Sequence, residues 1–347
     1  MKNSKAILKI PGIMKILPAD MPVPKDDEVL IKIEYVGICG SDVHGFESGP
    51  FIPPKDPNQE IGLGHECAGT VVAIGRSVTK FKPGDKVNIE PGVPCGKCRY
   101  CLEGKYNICP DVDFMATQPN YRGALTHYLC HPESFTYKLP DNMDTMEGAL
   151  VEPAAVGIHA AMLADVKPGK KIVILGAGCI GLMTLQACRY LGASEIVVVD
   201  VLEKRLAMAE KLGASAVVNG AKEDTVTACA GRLGVMGADI VFETAGSAIT
   251  VKQAPYLVMR GGKIMIVGTV PGDSAINFLK INREVTIQTV FRYANRYPIT
   301  IEAISSGKFD VKSMVTHIYD YQDVQQAFDE AVNNKRDIIK GVIKVLS

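Results

Sequence analysis

The pattern of hydrophobic and polar positions changes character near residue 150. Before it, apolar residues come in short β-type runs between Gly- and Pro-rich turns, as in residues 29–33, 68–74 and Lys86–Ile89. The turn Lys82-Pro83-Gly84-Asp85 leads into the last of these. This half predicts a compact, mostly antiparallel β-domain whose loops carry sites. Beyond 150, apolar strands alternate with helical runs: Lys171–Leu175, Glu195–Asp200, 216–218, 239–242, 263–267 and 285–290. Six strands with intervening helices predict a doubly wound parallel sheet in an α/β domain. From Tyr293 onward a helical segment and two late strands are predicted, the second at 341–345, and this tail is expected to return to the first domain. The expected organisation is a β-domain over 1–150 completed by 293–347, and an α/β domain over 151–292. No internal repeat or low-complexity tract interrupts it.

Composition narrows the partners. A chain of 347 residues is long enough for two domains with separate cores. Lys plus Arg and Asp plus Glu are both 38, so nothing points to nucleic acid or an anionic membrane as partner. No apolar run approaches the ~20 residues of a membrane span, and Pro11, Gly12 and Pro18 interrupt any signal-peptide core. A cytoplasmic protein is expected, in which ten cysteines serve as thiols and metal ligands before disulfides.

Three stretches carry chemistry. The first is Gly37-Ile38-Cys39-Gly40-Ser41-Asp42-Val43-His44, taken with Gly64-His65-Glu66. A thiolate, an imidazole and a carboxylate brought together form an open zinc site with one position left for water or substrate. Singly, Cys39 would read as a small core residue and His65 as a packing residue, but a Gly-Ser-Asp turn and an adjoining acid weaken both readings. Ser41 hydroxyl to His44 imidazole is a candidate proton relay. The second stretch spaces Cys95, Cys98, Cys101 and Cys109 as C-x2-C-x2-C-x7-C in a Gly-rich, charged loop. Four thiolates so close suit a closed structural zinc site, with an iron–sulfur cluster as the alternative sharing its ligands. The third is strand, Gly176-Ala177-Gly178-Cys179-Ile180-Gly181, helix, strand, then Asp200. Tight turn, helix N-terminus and terminal acid meet the conditions of a dinucleotide fingerprint, with Asp200 on the adenosine ribose.

Together with Pro83-Gly84-Asp85-Lys86-Val87, these stretches resemble the zinc-dependent medium-chain alcohol and polyol dehydrogenases over the whole chain. The finer similarity is to sorbitol (L-iditol 2-) and xylitol dehydrogenases, through 137–142, 148–160 and Val290-Phe291-Arg292-Tyr293. The resemblance implies a GroES-like catalytic domain, a six-stranded Rossmann domain, NAD, and two Zn2+ per chain. It implies hydride transfer from a secondary hydroxyl of a polyol, giving a ketose. As zinc ligand it allows Glu66 or Glu152. It implies cofactor contacts at Gly176, Gly178, Ile180, Gly181, Asp200, Arg205, Val267, Gly268, Thr269, Val290, Phe291 and Arg292. Substrate contacts are implied at Glu152, Arg292 and Tyr293, and a homodimer or homotetramer is usual for such proteins. Two features depart from animal sorbitol dehydrogenases: Gly45-Phe46 follows His44, and the four cysteines are retained. Residues 48–54 are similar to the corresponding loop of butanediol dehydrogenases. A 2,3-butanediol, threonine or hexitol-phosphate dehydrogenase is therefore the alternative within the superfamily, and a non-catalytic dinucleotide sensor the alternative outside it.

Overall fold

The computed structural model describes residues 2–234 and 237–346. The chain forms two compact units, the first from the described residues of Met1–Glu152, Tyr297–Ser305 and Val311–Ser347, the second from Pro153–Arg296 and Ser306–Asp310. Residues 293–296, expected with the β-domain, belong by their contacts to the α/β unit, as does the excursion Ser306–Asp310.

The first unit is built on a seven-stranded sheet. Its strands run Thr136–Lys138, Lys86–Ile89, Glu66–Ile74, Glu28–Gly37, Lys340–Lys344 and Val315–Asp320, with Tyr128–Pro132 also on Glu28–Gly37. The late strand Lys340–Lys344 is the tail's return: it pairs antiparallel with Glu28–Gly37, Val342 opposite Gly37. Period-two alternation puts Val29, Ile31 and Ile33 into one core, which Val36 joins beyond a register shift at Ile33/Tyr35, together with Val71, Phe46, Leu125 and Phe328. The tail holds two helices, Tyr297–Ser305 and Val324–Asn333, where one helical segment was expected.

All strand pairs of the second unit are parallel, in the order Ala216–Asn219, Glu195–Asp200, Lys171–Leu175, Ala238–Glu243, Val258–Ile266, Thr286–Thr289. These strands read as unbroken apolar runs because helices cover both faces; Ile172, Val173, Ile174 and Leu175 have no exposed surface. The order reverses beside Lys171–Leu175, and in such sheets ligands bind at the carboxyl ends there. No helix among the described residues is long and apolar enough to cross a membrane.

Two buried histidines make the fold acid-sensitive. His131 belongs to the strand Tyr128–Pro132 of the first unit's sheet, where Nε2–H donates to Glu90 O at 2.9 Å, and burial lowers it from 6.5 to about 4. In the second unit burial, with the Arg296 charge, likewise lowers His159 to about 4. Both pKa values are lower folded than unfolded, so between pH 6.5 and 4 the unfolded chain binds more protons, and stability falls as pH drops through that window. For fully buried His131 the full shift corresponds to about 3 kcal/mol. The urea midpoint is expected to fall across this window, and less steeply in His131→Gln. Parallel curves for parent and variant would refute the assignment.

Candidate active site and metal centres

Cys39 lies two residues beyond the strand Glu28–Gly37 and caps the helix Gly40–Ser48. Asp42, one turn in, completes a capping box by accepting from Cys39 N at 3.4 Å. The same carboxylate accepts from Gly64 N at 2.9 Å and faces His65 Nδ1 at 3.3 Å. One buried acid thus locks the Cys39 turn to the Gly64-His65 segment. Burial opposes charge on both partners, and the pairing outweighs it: Asp42 is held below the ordinary carboxylate range and His65 well above its ordinary value. With Nδ1 turned to Asp42, Nε2 is the nitrogen His65 has for a metal, the carboxylate–histidine arrangement that orients imidazole ligands.

Donor atoms of Cys39, His65 and Glu66 lie within 4.8 Å of one another. Glu152 is outside this cluster. It sits in the first turn of the helix Val151–Leu163, 5 % exposed. Its charge does act on Cys67, the residue after Glu66, whose thiol is pushed up to about 12 by burial first, against His65 and aided by Glu152 and Glu66. Cys67 is therefore a neutral thiol beside the cluster. Ser41 Oγ donates to Cys39 Sγ at 3.3 Å. The ring of His44 stacks on Phe51, centroids 3.9 Å apart. The structure brings Ser41 to the thiol and His44 to the 48–54 loop; among the described residues no hydrogen bond joins the two.

The four cysteines of the loop also converge, their sulfurs within 4.8 Å. Cys98 lies 3.4 Å from Cys101 and 3.8 Å from Cys109, and no disulfide forms among them. Backbone N–H groups point at the sulfurs, Cys98 N on Cys95 Sγ at 3.4 Å and Cys95 N on Cys109 Sγ at 3.5 Å. The N–H groups of Lys97 and Cys98 lower the Cys95 thiol to about 7. Both donor sets fit zinc: a thiolate–imidazole–carboxylate set with an oriented histidine, and a closed set of four thiolates.

In the second unit the glycine turn joins the strand Lys171–Leu175 to the helix Cys179–Tyr190. Gly176 has φ 104, and a Cβ on Gly181 would strike Gly176 O, so the turn is closed to side chains at both points. Asp200 Oδ2 accepts from Ala177 N at 2.7 Å, while Oδ1 accepts from Val201 N and Leu202 N. Arg205 Nη1 reaches to the side of Gly178. Val267 and Gly268 follow the strand Val258–Ile266, both N–H groups on Glu243 O, and Thr269 comes next. Val290 N bonds Ile266 O. The expected cofactor residues therefore gather at the carboxyl ends of adjacent parallel strands. Phe291 is exposed, Arg292 takes φ 50 and lays its guanidinium over the Phe291 ring at 4.7 Å, and Tyr293 is buried.

Comparison with known proteins agrees over both units. The alcohol dehydrogenase GroES-like domain family matches residues 25–141, and the zinc-binding dehydrogenase family matches 179–306. An uncharacterized zinc-type alcohol dehydrogenase-like protein of Escherichia coli (strain K12) is 88% identical over 99% of each chain. This chain belongs to the zinc-type alcohol dehydrogenases. A sorbitol dehydrogenase of Bacillus subtilis is 42% identical over 93% of this dehydrogenase and 92% of its own length. A zinc-binding dehydrogenase of Sinorhizobium meliloti 1021, solved with NADP, superimposes with TM-score 0.91 at 28% identity, over 99% of this chain and 100% of its own.

Three residues that position the sites of this zinc-type dehydrogenase were given no role by sequence reasoning. Asp42 was readable, since Cys-x-x-Asp before a helix is capping-box spacing. Glu243, fully buried at the end of Ala238–Glu243, accepts from Ala245 N, Gly246 N and Thr250 Oγ and shapes the turn beside Gly176. Lys340, fully buried, ion-pairs with Glu66 from the far end of the chain. Neither Glu243 nor Lys340 lies in a motif that announces it.

Proposed function

We propose that this dehydrogenase oxidises a secondary hydroxyl of a sorbitol- or xylitol-like polyol and passes the hydride to NAD, leaving a ketose. Arg292 carries the reading. Held in a left-handed conformation against an exposed aromatic at the end of the last parallel strand, it offers donors suited to several hydroxyls. The 42% identity to a sorbitol dehydrogenase supports it. Zinc held by Cys39, His65 and Glu66 would act as Lewis acid on the alcohol oxygen while the nicotinamide takes the hydride. Asp42 then fixes the His65 ring and tautomer. Ser41 and His44 carry the released proton, which requires the Ser41 hydroxyl to turn from Cys39 Sγ towards the substrate. Glu152 is the second buried acid that orients substrate or water. A second zinc is held by Cys95, Cys98, Cys101 and Cys109.

Arg292→Ala tests the substrate. Removing a donor from a bound hydroxyl costs ~1–3 kcal/mol, so kcat/KM on sorbitol or xylitol is expected to fall ~5–150-fold, and far less on a simple secondary alcohol. Equal losses on both would give Arg292 a cofactor or structural role. The 48–54 loop, whose Phe51 stacks on His44, favours a small diol as second reading. Good rates on 2,3-butanediol with none on any polyol would select it.

NAD over NADP follows from Asp200, an acid at the end of the second strand and bonded to the glycine turn, which would accept the adenosine ribose hydroxyls and repel a 2′-phosphate. In Asp200→Ala the ratio of kcat/KM for NAD to that for NADP is expected to drop at least ~10-fold, about 1.4 kcal/mol. A parent using both cofactors equally well would overturn this. We also propose a cytoplasmic homo-oligomer, supported by ten cysteines that form no disulfide and by Phe278 and Leu279, which are 71% and 81% exposed in the free chain.

A further inference from the structure

We infer that Lys340 is a positioning residue of the metal centre, restraining Glu66 so that the metal keeps one exchangeable position. The inference rests on the catalytic-metal reading of Cys39, His65 and Glu66. Three neighbouring strands build the arrangement. Lys340 opens Lys340–Lys344, which pairs with Glu28–Gly37, which in turn pairs with Glu66–Ile74, Gly37 opposite Glu66. The side chains of Lys340 and Glu66 are each 2% exposed. Lys340 Nζ ion-pairs with Glu66 Oε2 and donates to Ile38 O at 3.0 Å. A buried ammonium is tolerated where its charge is met, and this one faces a carboxylate and donates to a backbone carbonyl.

Gly37 makes the room. A Cβ there would fall on Glu66 Oε2 and lie 3.1 Å from Lys340 Cε, so the strand is bare where the pair sits. Glu66 is thus shared: one oxygen is engaged by a cation from behind, while the carboxylate also reaches within 4.8 Å of the Cys39 and His65 donors. A carboxylate already neutralised by lysine is a weaker ligand than a free one. Removing Lys340 takes a positive charge away from the cation site and leaves Glu66 with the metal as its one strong counter-charge. A metal there would be gripped harder, with the Glu66 oxygen that Lys340 had engaged competing for its exchangeable position.

The consequence is a split in sign that a merely structural lysine would not produce. In zinc-loaded Lys340→Met, one of the two zinc ions is expected to pass to excess chelator ~10-fold or more slowly than in the parent, while kcat falls ~10–100-fold. Removal of that zinc is expected to lower the melting temperature more in the variant than in the parent, since only the metal answers the Glu66 charge. The double variant Lys340→Met, Glu66→Gln removes both buried charges, keeps the protein foldable, and is expected to lose the gain in retention. Release at the parent's rate or faster in Lys340→Met, or the same slow release in the double variant, would overturn the inference. Cys39→Ser, assayed alongside for zinc content, separates the two levels. If it loses one zinc and Lys340→Met behaves as parent, only the role of Lys340 falls. If it retains both, the metal reading falls with it.

Discussion

Cys39→Ser is expected to lower kcat/KM by a thousandfold or more and leave the melting temperature close to that of the parent. Lewis-acid assistance contributes several kcal/mol to the transition state, and ~4 kcal/mol is about a factor of a thousand. Serine replaces a soft thiolate with a neutral hydroxyl that does not ionise near neutral pH, so the donor set loses both a charge and its best zinc ligand. Stability is spared because Cys39 is half-buried, and the turn it caps is tied to Gly64 through the carboxylate of Asp42, which the substitution leaves in place. His65→Ala is a poorer probe. It strips the buried Asp42 of its partner, and an uncompensated buried charge costs ~3–5 kcal/mol by itself. Rates on a polyol, with zinc content by mass spectrometry and a melting curve, check the expectation. A serine variant turning over at the parent's rate would remove Cys39 from catalysis.

Cys101→Ser is expected to do the reverse: lower stability first, and activity only through it. The segment around the four cysteines has little else to hold it. Its ordered parts are one helical turn at Arg99–Leu102 and a 3-10 turn at Tyr106–Ile108, and Tyr100, Leu102 and Ile108 face solvent. One tie to the β-sheet is Tyr106, whose hydroxyl donates to buried Glu90 at 2.7 Å, where Tyr137 donates as well. Burial raises the pKa of Glu90, and two phenol donors hold it back. With so little apolar packing, the loop would draw its folding free energy from the proposed zinc, and losing one of four thiolates would remove much of it. Each kcal/mol lost lowers the melting temperature by about 2–4 °C for a domain of this size. Differential scanning fluorimetry, zinc analysis and limited proteolysis report the change, with new nicking expected between Cys95 and Cys109. One zinc in the parent and an unchanged melting temperature in Cys101→Ser would end the structural-zinc assignment.

Much of this was legible without coordinates. Alternation of period two, apolar runs of four to six residues and the glycine turn specify a β-half and a doubly wound half, because each is a local rule of backbone geometry and burial. The four cysteines were readable for the same reason: at short spacing in a polar loop, chain length alone keeps their sulfurs near one another. The tertiary structure decided what depends on distant segments. That Glu66 lies in the donor cluster and Glu152 outside it follows from two different elements meeting, which spacing cannot foretell. Ser41 turning to Cys39 and His44 to Phe51 is a choice between neighbours that the sequence leaves equal. Lys340 is the plainest case. Alone it reads as one more lysine in a late strand, and it becomes part of the centre because strand order places it across Gly37 from Glu66. Local rules fix elements; which buried charge meets which is set by the pairing of strands far apart in the chain, where desolvation makes every unmatched charge costly.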